Sequence, residues 1–324
     1  MNYVNRFILV VTYMLGFSRI NIAAAKVDAP FSYALHDTLI PTKKQEPQFL
    51  LARDNVKLAY YAFIAQEEHA VAVMYHGGGA YSNQGYQWVA EQLQQQGIST
   101  YCIDIRGHGR SEGLRGDAPS IEIVLNDIKV VTEWVRLQHE NKPLYLIGHS
   151  AGAGLLMNYH TVYKDVKIKG YILLAPYLGP LAGTCRYEGD DKQSFVKKVR
   201  TWVFILNALS PVSWFWHIDA VYFNYADELL QKDPLYVTKY TYVMSSATTP
   251  YAIDTILKNW GDMPLSVYIG QQDEQFIPEK TVALFKKTNQ ETTYAAIVPE
   301  AAHLSLLQKA PELISNCIPP CTRE

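Results

Sequence analysis

The sequence predicts an α/β fold in which a mostly parallel sheet is covered by helices on both faces. Short, continuous apolar runs alternate along the chain with segments whose apolar residues recur at helical spacing. This alternation is typical of strand–helix units. The runs show little apolar–polar alternation, so they are expected to be buried on both faces, as strands of parallel sheets are. Several of them end at glycine-rich segments, which indicate tight loops at the strand ends.

The predicted strands are short apolar runs bounded by turn-forming or glycine-rich segments. The first two flank Asp54-Asn55, a pair that favours a tight turn. The third runs into the three glycines at 77–79. In chain order, the predicted strands lie in QFLLARDNVKLAYYAFIA (two strands, 48–65), HAVAVMYHGGG (69–79), ISTYCID (98–104), PLYLIG (143–148), KGYILLAP (169–176), PLSVYIGQQD (264–273) and TYAAIVPEAAH (293–303).

Between these strands, apolar residues recur every three or four positions, which is the spacing of a helix that packs one face on a sheet. Gly97 follows the first such segment, and glycine commonly terminates helices. The segments with a helical pattern are YSNQGYQWVAEQLQQQ (81–96), 120–136, 151–163, YAIDTILKNW (251–260), EKTVALFKKT (279–288) and LSLLQKAPELI (304–314).

The alternation of strands and helices stops between residues 177 and 250. This stretch is dense in Trp, Phe and Tyr and contains no visible strand–helix unit. We therefore expect a mostly helical insertion there. The remainder of the chain then divides into a signal segment (1–25), an α/β core (26–176 and 251–316) and a C-terminal tail (317–324).

Residues 1–25 have the layout of a secretory signal peptide. A short polar start with one positive charge precedes the apolar run 7–17, and Ala23 to Ala25 offer small residues at a cleavage site. The apolar run is too short to span a bilayer comfortably. Cleavage near Ala25 would export the protein to a periplasmic or extracellular space. An uncleaved N-terminal membrane anchor and a buried first strand are the alternatives.

The cysteines gain meaning from this predicted export, because disulfides form in oxidising compartments. Cys102 lies within an apolar run and is predicted to be a buried free thiol. Cys317 and Cys321 lie close together in the tail and are predicted to pair with each other. A metal site is the alternative for them, but no histidine or second cysteine pair is nearby to complete a tetrahedral set.

Composition and charge limit the classes of function. The 324 residues are 48% apolar, which is enough for a large buried core. The formal net charge is −2, and the charged residues are spread along the chain without the basic stripe that binds phosphate backbones. Nucleic acid is therefore not expected as a partner.

Ser150, in the pentapeptide GHSAG (148–152), is the first candidate for chemistry. It follows a predicted strand and precedes a predicted helix, which is the context of a nucleophile elbow. Gly148 and Gly152 leave room for a sharp turn. The helix that begins at Ala151 points its free N–H groups at whatever is bonded to the serine hydroxyl. Ser150 is therefore predicted to be a nucleophile.

A serine nucleophile requires a base that accepts its proton and an acid that orients the base. His303 follows the last predicted strand, and Asp273 follows the strand before it. The order Ser150, Asp273, His303 is the chain order that such an elbow uses. Glu274 is the alternative candidate for the acid.

The glycines after the third strand provide the remaining part of such a site. They allow the backbone N–H of Gly78 to approach a reacting carbonyl oxygen, with the N–H of Ala151 as its partner. These two groups are predicted to form the oxyanion hole. His76, which precedes the glycines, is predicted to shape the loop rather than to act as a second base.

Several motifs together resemble the monoacylglycerol lipase and lysophospholipase branch of the α/β-hydrolase family. They are HGGG (76–79), DIRGHGRSEG (104–113), GHSAG (148–152) and LLAP (173–176), joined by Asp273 and His303. The resemblance covers roughly residues 45 to 315. It implies an α/β-hydrolase fold, the triad and oxyanion hole named above, and a helical cap at 177–250 that shapes an acyl-binding tunnel. It also implies a mainly architectural role for the RGHGRSEG loop.

The sequence departs from better-known members of that branch in three ways. Ala151 stands where methionine is common, which is harmless if only its backbone N–H donates. The other departures are the export signal and the cysteine-bearing tail, and both bear on the cellular role rather than on the chemistry.

The expected function is hydrolysis of acyl esters of the monoacylglycerol or lysophospholipid type through an acyl-enzyme, with no metal or organic cofactor. Trp202, Trp214 and Phe215 in the aromatic-rich insertion are predicted to line an acyl pocket or to touch a membrane or micelle surface. An exported acyltransferase and a peptidase or amidase are alternatives that use the same triad. A non-catalytic lipid-binding protein is a third alternative, and the complete triad argues against it.

Overall fold

The computed structural model describes residues 38–82, 85–164, 167–186, 194–209, 213–289 and 291–319. The predicted signal peptide with its cleavage site and Cys321 lie outside these ranges, so export and the Cys317–Cys321 pairing stay predictions. Cys102 is a buried free thiol, as predicted. Within the described ranges, no helix combines the length and the apolar composition needed to cross a bilayer.

The strands follow the apolar runs of the sequence. In chain order they are β1 (Gln48–Leu51), β2 (Lys57–Phe63), β3 (Ala70–Tyr75), β4 (Ile98–Ile103), β5 (Leu144–His149), β6 (Gly170–Leu174), β7 (Val196–Val199), β8 (Asp219–Phe223), β9 (Lys239–Thr241), β10 (Leu265–Gly270) and β11 (Thr293–Val298). Eight of them form a central sheet in the order β1-β2-β4-β3-β5-β6-β10-β11. Strand β2 is antiparallel to both of its neighbours, and the other neighbouring pairs are parallel.

The parallel strands are buried on both faces, and this is why their sequences lack apolar–polar alternation. In β3, Val73 and Tyr75 pack into the core on one face of the sheet, while Ala72 and Met74 pack into the core on the other. Successive side chains of a strand point to opposite faces, so a continuous apolar run fills both cores.

Helices cover both faces of this sheet, and others lie in the inserted segment. In chain order they are α1 (Tyr86–Gln95), α2 (Ile121–Gln138), α3 (Ala151–Val162), α4 (Thr201–Leu209), α5 (Asp227–Lys232), α6 (Tyr242–Ala247), α7 (Ile253–Lys258), α8 (Pro278–Phe285) and α9 (Leu306–Cys317). Helices α1 and α9 pack together over one face, and α2 and α3 pack over the other. The predicted fold class is confirmed, and the helix expected over 81–96 begins at Tyr86.

The topology brings distant parts of the chain to one edge of the sheet. Strands β3, β5 and β10 are parallel to one another through their neighbours, and β11 is parallel to β10. Their carboxyl ends therefore lie along the same edge, where open α/β sheets bind ligands. The HGGG loop, Ser150, Asp273 and His303 each follow one of these strands.

The inserted segment differs from the mostly helical expectation. It contains a three-stranded antiparallel sheet in the order β7-β8-β9, alongside the helices α4, α5 and α6. These strands have only four, five and three residues, so each is too short to show a clear period of two in the sequence. Hydrogen bonds between segments far apart in the chain define them instead. The boundaries 177 and 250 stay a prediction, and we call the segment between them the cap.

Candidate active site

Ser150 lies at a sharp turn between β5 and α3. Its backbone has φ 53° and ψ −117°, a conformation that costs a non-glycine residue strain and clusters at functional sites. A Cβ on Gly148 would lie 2.7 Å from the backbone of Ala153, and a Cβ on Gly152 would lie 2.6 Å from the carbonyl oxygens of Tyr75 and His76. Both glycines are therefore required by close backbone approach, as the sequence predicted.

The three residues predicted to form the triad are hydrogen-bonded in series. The Nε2 atom of His303 lies 3.0 Å from the Oγ atom of Ser150, and its Nδ1 atom lies 2.9 Å from Oδ2 of Asp273. Because the carboxylate can only accept, Nδ1 carries the proton and Nε2 is left to accept the proton of Ser150. This is the arrangement that activates a serine hydroxyl.

The Asp273 carboxylate is fixed on both oxygens. While Oδ2 faces His303, Oδ1 accepts the N–H groups of Gln275 and Phe276 at 2.9 and 2.8 Å. The side chain is fully buried. The turn after β10 thus holds the carboxylate in one orientation and removes it from solvent.

The alternative acid, Glu274, has a different position. Its carboxylate accepts the backbone N–H of His303 at 2.9 Å and therefore holds the loop that carries the imidazole rather than the imidazole itself. Burial raises the pKa of Glu274, against the lowering influence of His303. The structure thus places Asp273 at the orienting position.

The surroundings of His303 raise the pKa of its imidazole above the usual value for histidine. Burial by itself lowers the pKa of His303, but the charge and hydrogen bond of Asp273, helped by the charge of Glu274, outweigh it and raise the pKa. An imidazole that has just received the serine proton is stabilised by the same charges.

A second histidine, His149, lies beside the first, with 5.0 Å between the ring centroids. Its Nε2 atom lies 3.1 Å from the carbonyl oxygen of His303, and its Nδ1 atom lies 2.9 Å from the hydroxyl of Tyr86. Burial, with the nearby charge of His303, lowers the pKa of His149 to about 3, so its ring is neutral. Sequence reasoning gave His149 no role, because its partners come from separate parts of the chain.

The HGGG loop faces Ser150 with its backbone. The N–H of Gly77 donates to the hydroxyl of Tyr86, and the N–H of Gly79 donates to the hydroxyl of Tyr240, both at 2.8 Å. Between them, the N–H of Gly78 has no protein acceptor within the described residues, and the same holds for the N–H of Ala151. A Cβ on Gly78 would lie 3.5 Å from the Cβ of Ala151. The two predicted oxyanion donors are therefore adjacent.

His76 takes part in the loop's structure. Its Nδ1 atom lies 2.9 Å from the carbonyl oxygen of Gly77, and its Nε2 atom accepts the N–H of Ile105 at 3.1 Å. Burial lowers the pKa of His76 to about 4. A neutral ring that joins two loops agrees with the predicted loop-shaping role.

A cavity of about 160 Å³ opens at Ser150 between the core and the cap. A single water needs only about 10–15 Å³, so the space suits a larger ligand. It is lined by mostly apolar cap residues together with Ser150, His303, Gly78 and Ala151. Those apolar cap residues are Pro180, Leu181, Phe195, Val196, Val199, Phe204, Val221 and Phe223. In the described part of the chain, no carboxylate lines this cavity.

The aromatic residues predicted to contact the substrate do not line this cavity. Trp202 and Trp214 are 48% and 80% exposed, and Phe215 is not part of the cavity wall either. In α4, the buried face is formed by Val203, Phe204 and Asn207, and Trp202 projects from the other side. The sequence shows that the cap is rich in aromatics, but only its tertiary packing decides which of them face inward.

Comparison with known proteins places this chain in a family. A family model described as serine aminopeptidase, S33, matches residues 66–309. The chain belongs to this α/β-hydrolase family. The resemblance seen in the motifs is thereby confirmed, and relatives in the family include lipases and esterases.

Two curated relatives illustrate the range of this family. The monoacylglycerol lipase of Mycolicibacterium smegmatis is 29% identical over 97 residues, which are 30% of this chain and 34% of that protein. Protein phosphatase methylesterase 1 of Candida albicans is 24% identical over 197 residues, 60% of this chain and 51% of that protein. The chain spans about half or less of the length of the curated relatives it matches.

Solved structures show the same fold over most of the chain. A soluble variant of monoglyceride lipase from Saccharomyces cerevisiae, solved with a substrate analogue, superposes with a TM-score of 0.62 and 19% identity. The match covers 90% of this chain and 97% of that one. At this level of identity, the similarity establishes the α/β-hydrolase fold.

Proposed function

We propose that this protein is a serine hydrolase that cleaves carboxylic esters of acyl lipids through an acyl-enzyme intermediate. The observation that carries the proposal is the hydrogen-bonded series Asp273, His303, Ser150, which opens into an apolar cavity. Gly78 and Ala151 line the same cavity, and within the described residues their backbone N–H groups have no protein acceptor, so they can supply the second requirement of acyl transfer.

In the first half of the reaction, Ser150 attacks the ester carbonyl while His303 accepts its proton at Nε2. The Asp273 carboxylate stabilises the imidazolium that forms. Negative charge develops on the former carbonyl oxygen, and the N–H groups of Gly78 and Ala151 stabilise it. One such donor typically contributes about 3 kcal/mol to the transition state. His303 then protonates the departing alcohol, and the acyl group stays on Ser150.

In the second half, His303 accepts a proton from a water molecule as that water attacks the acyl-enzyme. The same two N–H groups stabilise the second oxyanion. His303 returns its proton to Ser150, and the carboxylic acid leaves. The described residues thus provide a nucleophile, a base that becomes an acid, and an electrostatic site for the oxyanion.

The cavity wall favours a substrate with an acyl chain. Apolar side chains such as Phe195, Phe204 and Phe223 form much of it, and they gain little from a charged or sugar-like substrate. Two relatives are named monoacylglycerol lipase and phospholipase, and both names denote enzymes that cleave lipid esters. A monoacylglycerol or a lysophospholipid is therefore the substrate class we propose.

The outer face of α4 supports contact with a lipid surface. In α4, Trp202 and Leu209 are about two helical turns apart and are 48% and 50% exposed, and Trp214, which follows the helix, is 80% exposed. Lys197 and Lys198 in β7 are also exposed. Exposed tryptophan, with cations a few residues earlier in the chain, suits the interface of an anionic membrane. Replacing Trp202 and Trp214 together with alanine should reduce hydrolysis of a vesicle-bound ester and leave a soluble short-chain ester unaffected.

Two alternatives use the same chemistry. A peptidase that holds the amino group of its substrate needs a carboxylate in the cavity, and among the described residues none lines it. An acyltransferase would use an alcohol in place of water, so adding an acceptor alcohol and analysing the products distinguishes it from a hydrolase.

The decisive experiment is hydrolysis of p-nitrophenyl esters of increasing chain length by the wild-type protein and by Ser150→Ala. Loss of the nucleophile should reduce kcat on the order of a millionfold, and longer acyl chains should raise kcat/KM above the value for acetate. Activity that survives in Ser150→Ala would contradict the mechanism. A preference for acetate would contradict the lipid substrate while leaving the serine mechanism intact.

A further inference from the structure

We infer that docking of the cap sets the geometry of the oxyanion hole, with Tyr225 and Tyr240 acting as positioning residues for the N–H of Gly78. Both tyrosines belong to the cap, whereas Gly78 belongs to the core loop after β3. This inference rests on the proposed function, because it assigns Gly78 to the reaction. It goes further by making one half of the site depend on a second part of the molecule.

Among the described residues, hydrogen bonds from three cap residues join the cap to the HGGG loop. The N–H of Gly79 donates to the Tyr240 hydroxyl at 2.8 Å, and the Tyr225 hydroxyl donates to the carbonyl oxygen of Gly78 at 2.9 Å. The backbone N–H of Val237 donates to the carbonyl oxygen of Gly79 at 2.8 Å. The two peptide groups that flank the Cα of Gly79 are thus held by the cap.

The close approach of the cap explains why residue 79 is glycine. Its φ is +66°, and a Cβ there would lie 2.3 Å from the carbonyl oxygen of Val237 and 2.9 Å from the ring and hydroxyl of Tyr225. Any larger residue would push the cap away from the loop. The glycine-rich motif therefore allows the cap to pack directly on the loop, in addition to leaving room for a substrate oxygen.

His108, in the RGHGRSEG loop, determines how the Tyr240 hydroxyl is oriented. The Nδ1 atom of His108 lies 2.9 Å from the carbonyl oxygen of Arg106, which can only accept, so Nδ1 carries the proton. Its Nε2 atom, 2.7 Å from the Tyr240 hydroxyl, is then the acceptor. Tyr240 must donate to His108, and its lone pair remains for the N–H of Gly79.

Burial keeps these groups uncharged. It lowers the pKa of His108 well below its usual value, and it raises the pKa of Tyr240. The directions of donation are therefore the same across the pH range in which enzymes are normally assayed. This gives the RGHGRSEG loop a specific task beyond its predicted architectural role.

The core holds the first part of the loop through both polar groups of Gly77, whose carbonyl oxygen lies 2.9 Å from Nδ1 of His76. The N–H of Gly77 donates to the hydroxyl of Tyr86, which lies in α1. If the cap moves away, the peptide groups around Gly79 lose their partners while Gly77 keeps its own. The peptide group that carries the N–H of Gly78 is held by the core at the carbonyl oxygen of Gly77 and meets a peptide group held by the cap at the Cα of Gly78. Its direction is therefore expected to shift when the cap moves. A donor misplaced by about 1 Å can reduce the rate about a hundredfold.

The test compares Tyr240→Phe, Tyr225→Phe and the double variant with Tyr171→Phe. Tyr171 is a suitable control because its hydroxyl is buried in the core without a hydrogen-bond partner within the described residues. We expect kcat for a p-nitrophenyl ester to fall by about 10- to 100-fold in the cap variants, with KM changing little. The acidic limb of the pH profile should stay in place, because Asp273, Glu274 and His303 are untouched.

Two further measurements separate positioning from general damage. His108→Ala should reduce kcat like Tyr240→Phe, and the variant carrying both changes should be no worse than either alone, because both act through one hydroxyl. Amide hydrogen exchange of a peptide covering residues 71–82 should be faster in Tyr240→Phe than in Tyr171→Phe. This second readout needs no substrate.

The outcomes distinguish failure of this inference from failure of the proposed function. If the wild type hydrolyses esters and the cap variants match Tyr171→Phe in kcat, the coupling is wrong and the serine mechanism stands. If hydrogen exchange is unchanged in Tyr240→Phe, the coupling is wrong regardless of activity. If the wild type hydrolyses no ester while exchange rises as expected, the cap holds the loop but the proposed function fails.

Discussion

The two halves of the candidate active site are held by different kinds of interaction. The base side consists of Asp273, Glu274 and His303, which lie on loops after β10 and β11 and interact through charge. The oxyanion side consists of the HGGG loop, whose peptide groups are held by neutral tyrosine hydroxyls. The cap contacts both sides. On the base side, the Nε atom of Arg186 donates to the backbone carbonyl oxygens of Asp273 and Phe276, and on the oxyanion side, cap tyrosines hold the peptide groups of the HGGG loop.

This difference indicates how the two halves respond to change. A base must shift its proton affinity, so it is surrounded by carboxylates whose charge raises the pKa of the imidazole. An oxyanion hole must keep its N–H groups pointed at the substrate oxygen, so it is surrounded by neutral groups that fix the orientation of its peptide groups. Substitutions on the base side should therefore alter proton transfer, and substitutions on the oxyanion side should alter kcat without altering its pH dependence.

Among the substitutions that separate the two sides, the largest effect is expected from Asp273→Asn, which breaks the base side while keeping its shape. The amide oxygen can still accept the N–H groups of Gln275 and Phe276, but the amide N–H would face Nδ1 of His303 and favour the wrong tautomer. We expect kcat to fall about 10⁴-fold with little change in Tm. A kcat within tenfold of wild type would show that Asp273 does not orient the base.

The next largest effect is expected from Gly79→Ala, which breaks the oxyanion side. The new Cβ would collide with the carbonyl oxygen of Val237 and displace the cap from the loop. We expect kcat to fall about a hundredfold and Tm to fall as well.

Gly261→Ala is the matched control for Gly79→Ala. Gly261 has φ +77° and nothing within 4 Å of an added Cβ, so this variant bears the backbone strain of about 1–2 kcal/mol without a collision. It should lower Tm and leave kcat unchanged. Equal kcat in the two glycine variants would refute the steric part of the comparison.

A smaller effect distinguishes the two faces of α4 in the cap. Phe204 is buried and lines the cavity, so Phe204→Ala should destabilise the protein by about 3 kcal/mol and raise KM for long-chain esters. Trp202 is half exposed, and Trp202→Ala should change stability by no more than about 0.5 kcal/mol. Thermal denaturation and KM for a chain-length series measure both. Equal effects on KM would mean that the cavity wall is assigned incorrectly.

The smallest effect is expected from Glu274→Gln and concerns pH alone. His303 must be neutral to accept the serine proton, so kcat/KM falls as the pH drops through its pKa. The charge of Glu274 raises the pKa of His303, and glutamine removes that charge while its oxygen can still accept the N–H of His303. The acidic limb of the kcat/KM profile should therefore move to lower pH. A move to higher pH would reverse the sign of the assigned interaction.

Most of the core was predictable from the sequence because the physical signal is local. The apolar runs that became β3, β5 and β10 are continuous, and the helical spacing between them is regular. The elbow glycines and the chain order of Ser150, Asp273 and His303 follow from where those runs end. The orienting role of Asp273 over Glu274 was not decided by sequence, because adjacent carboxylates differ only in the direction the turn gives them.

The cap was predicted less well because its structure depends on contacts between distant segments. Its strands have no more than five residues, and one face of α4 is as apolar as the other, so the sequence of Trp202 to Phe204 does not show which side faces the cavity. Trp202, Trp214 and Phe215 were therefore wrong as cavity residues, while Phe204 and Phe223 line it.

The sequence by itself determined the α/β fold, the family and the elements that carry Ser150, Asp273, His303 and Gly78. These features depend on hydrophobic periodicity and on glycines required by local backbone geometry. Only the tertiary structure decided which groups hold the HGGG loop. Tyr86, Tyr225, Tyr240 and His108 come from four separate segments, and a hydrogen bond between such segments leaves no pattern in the chain until folding brings the two atoms within 3 Å of each other.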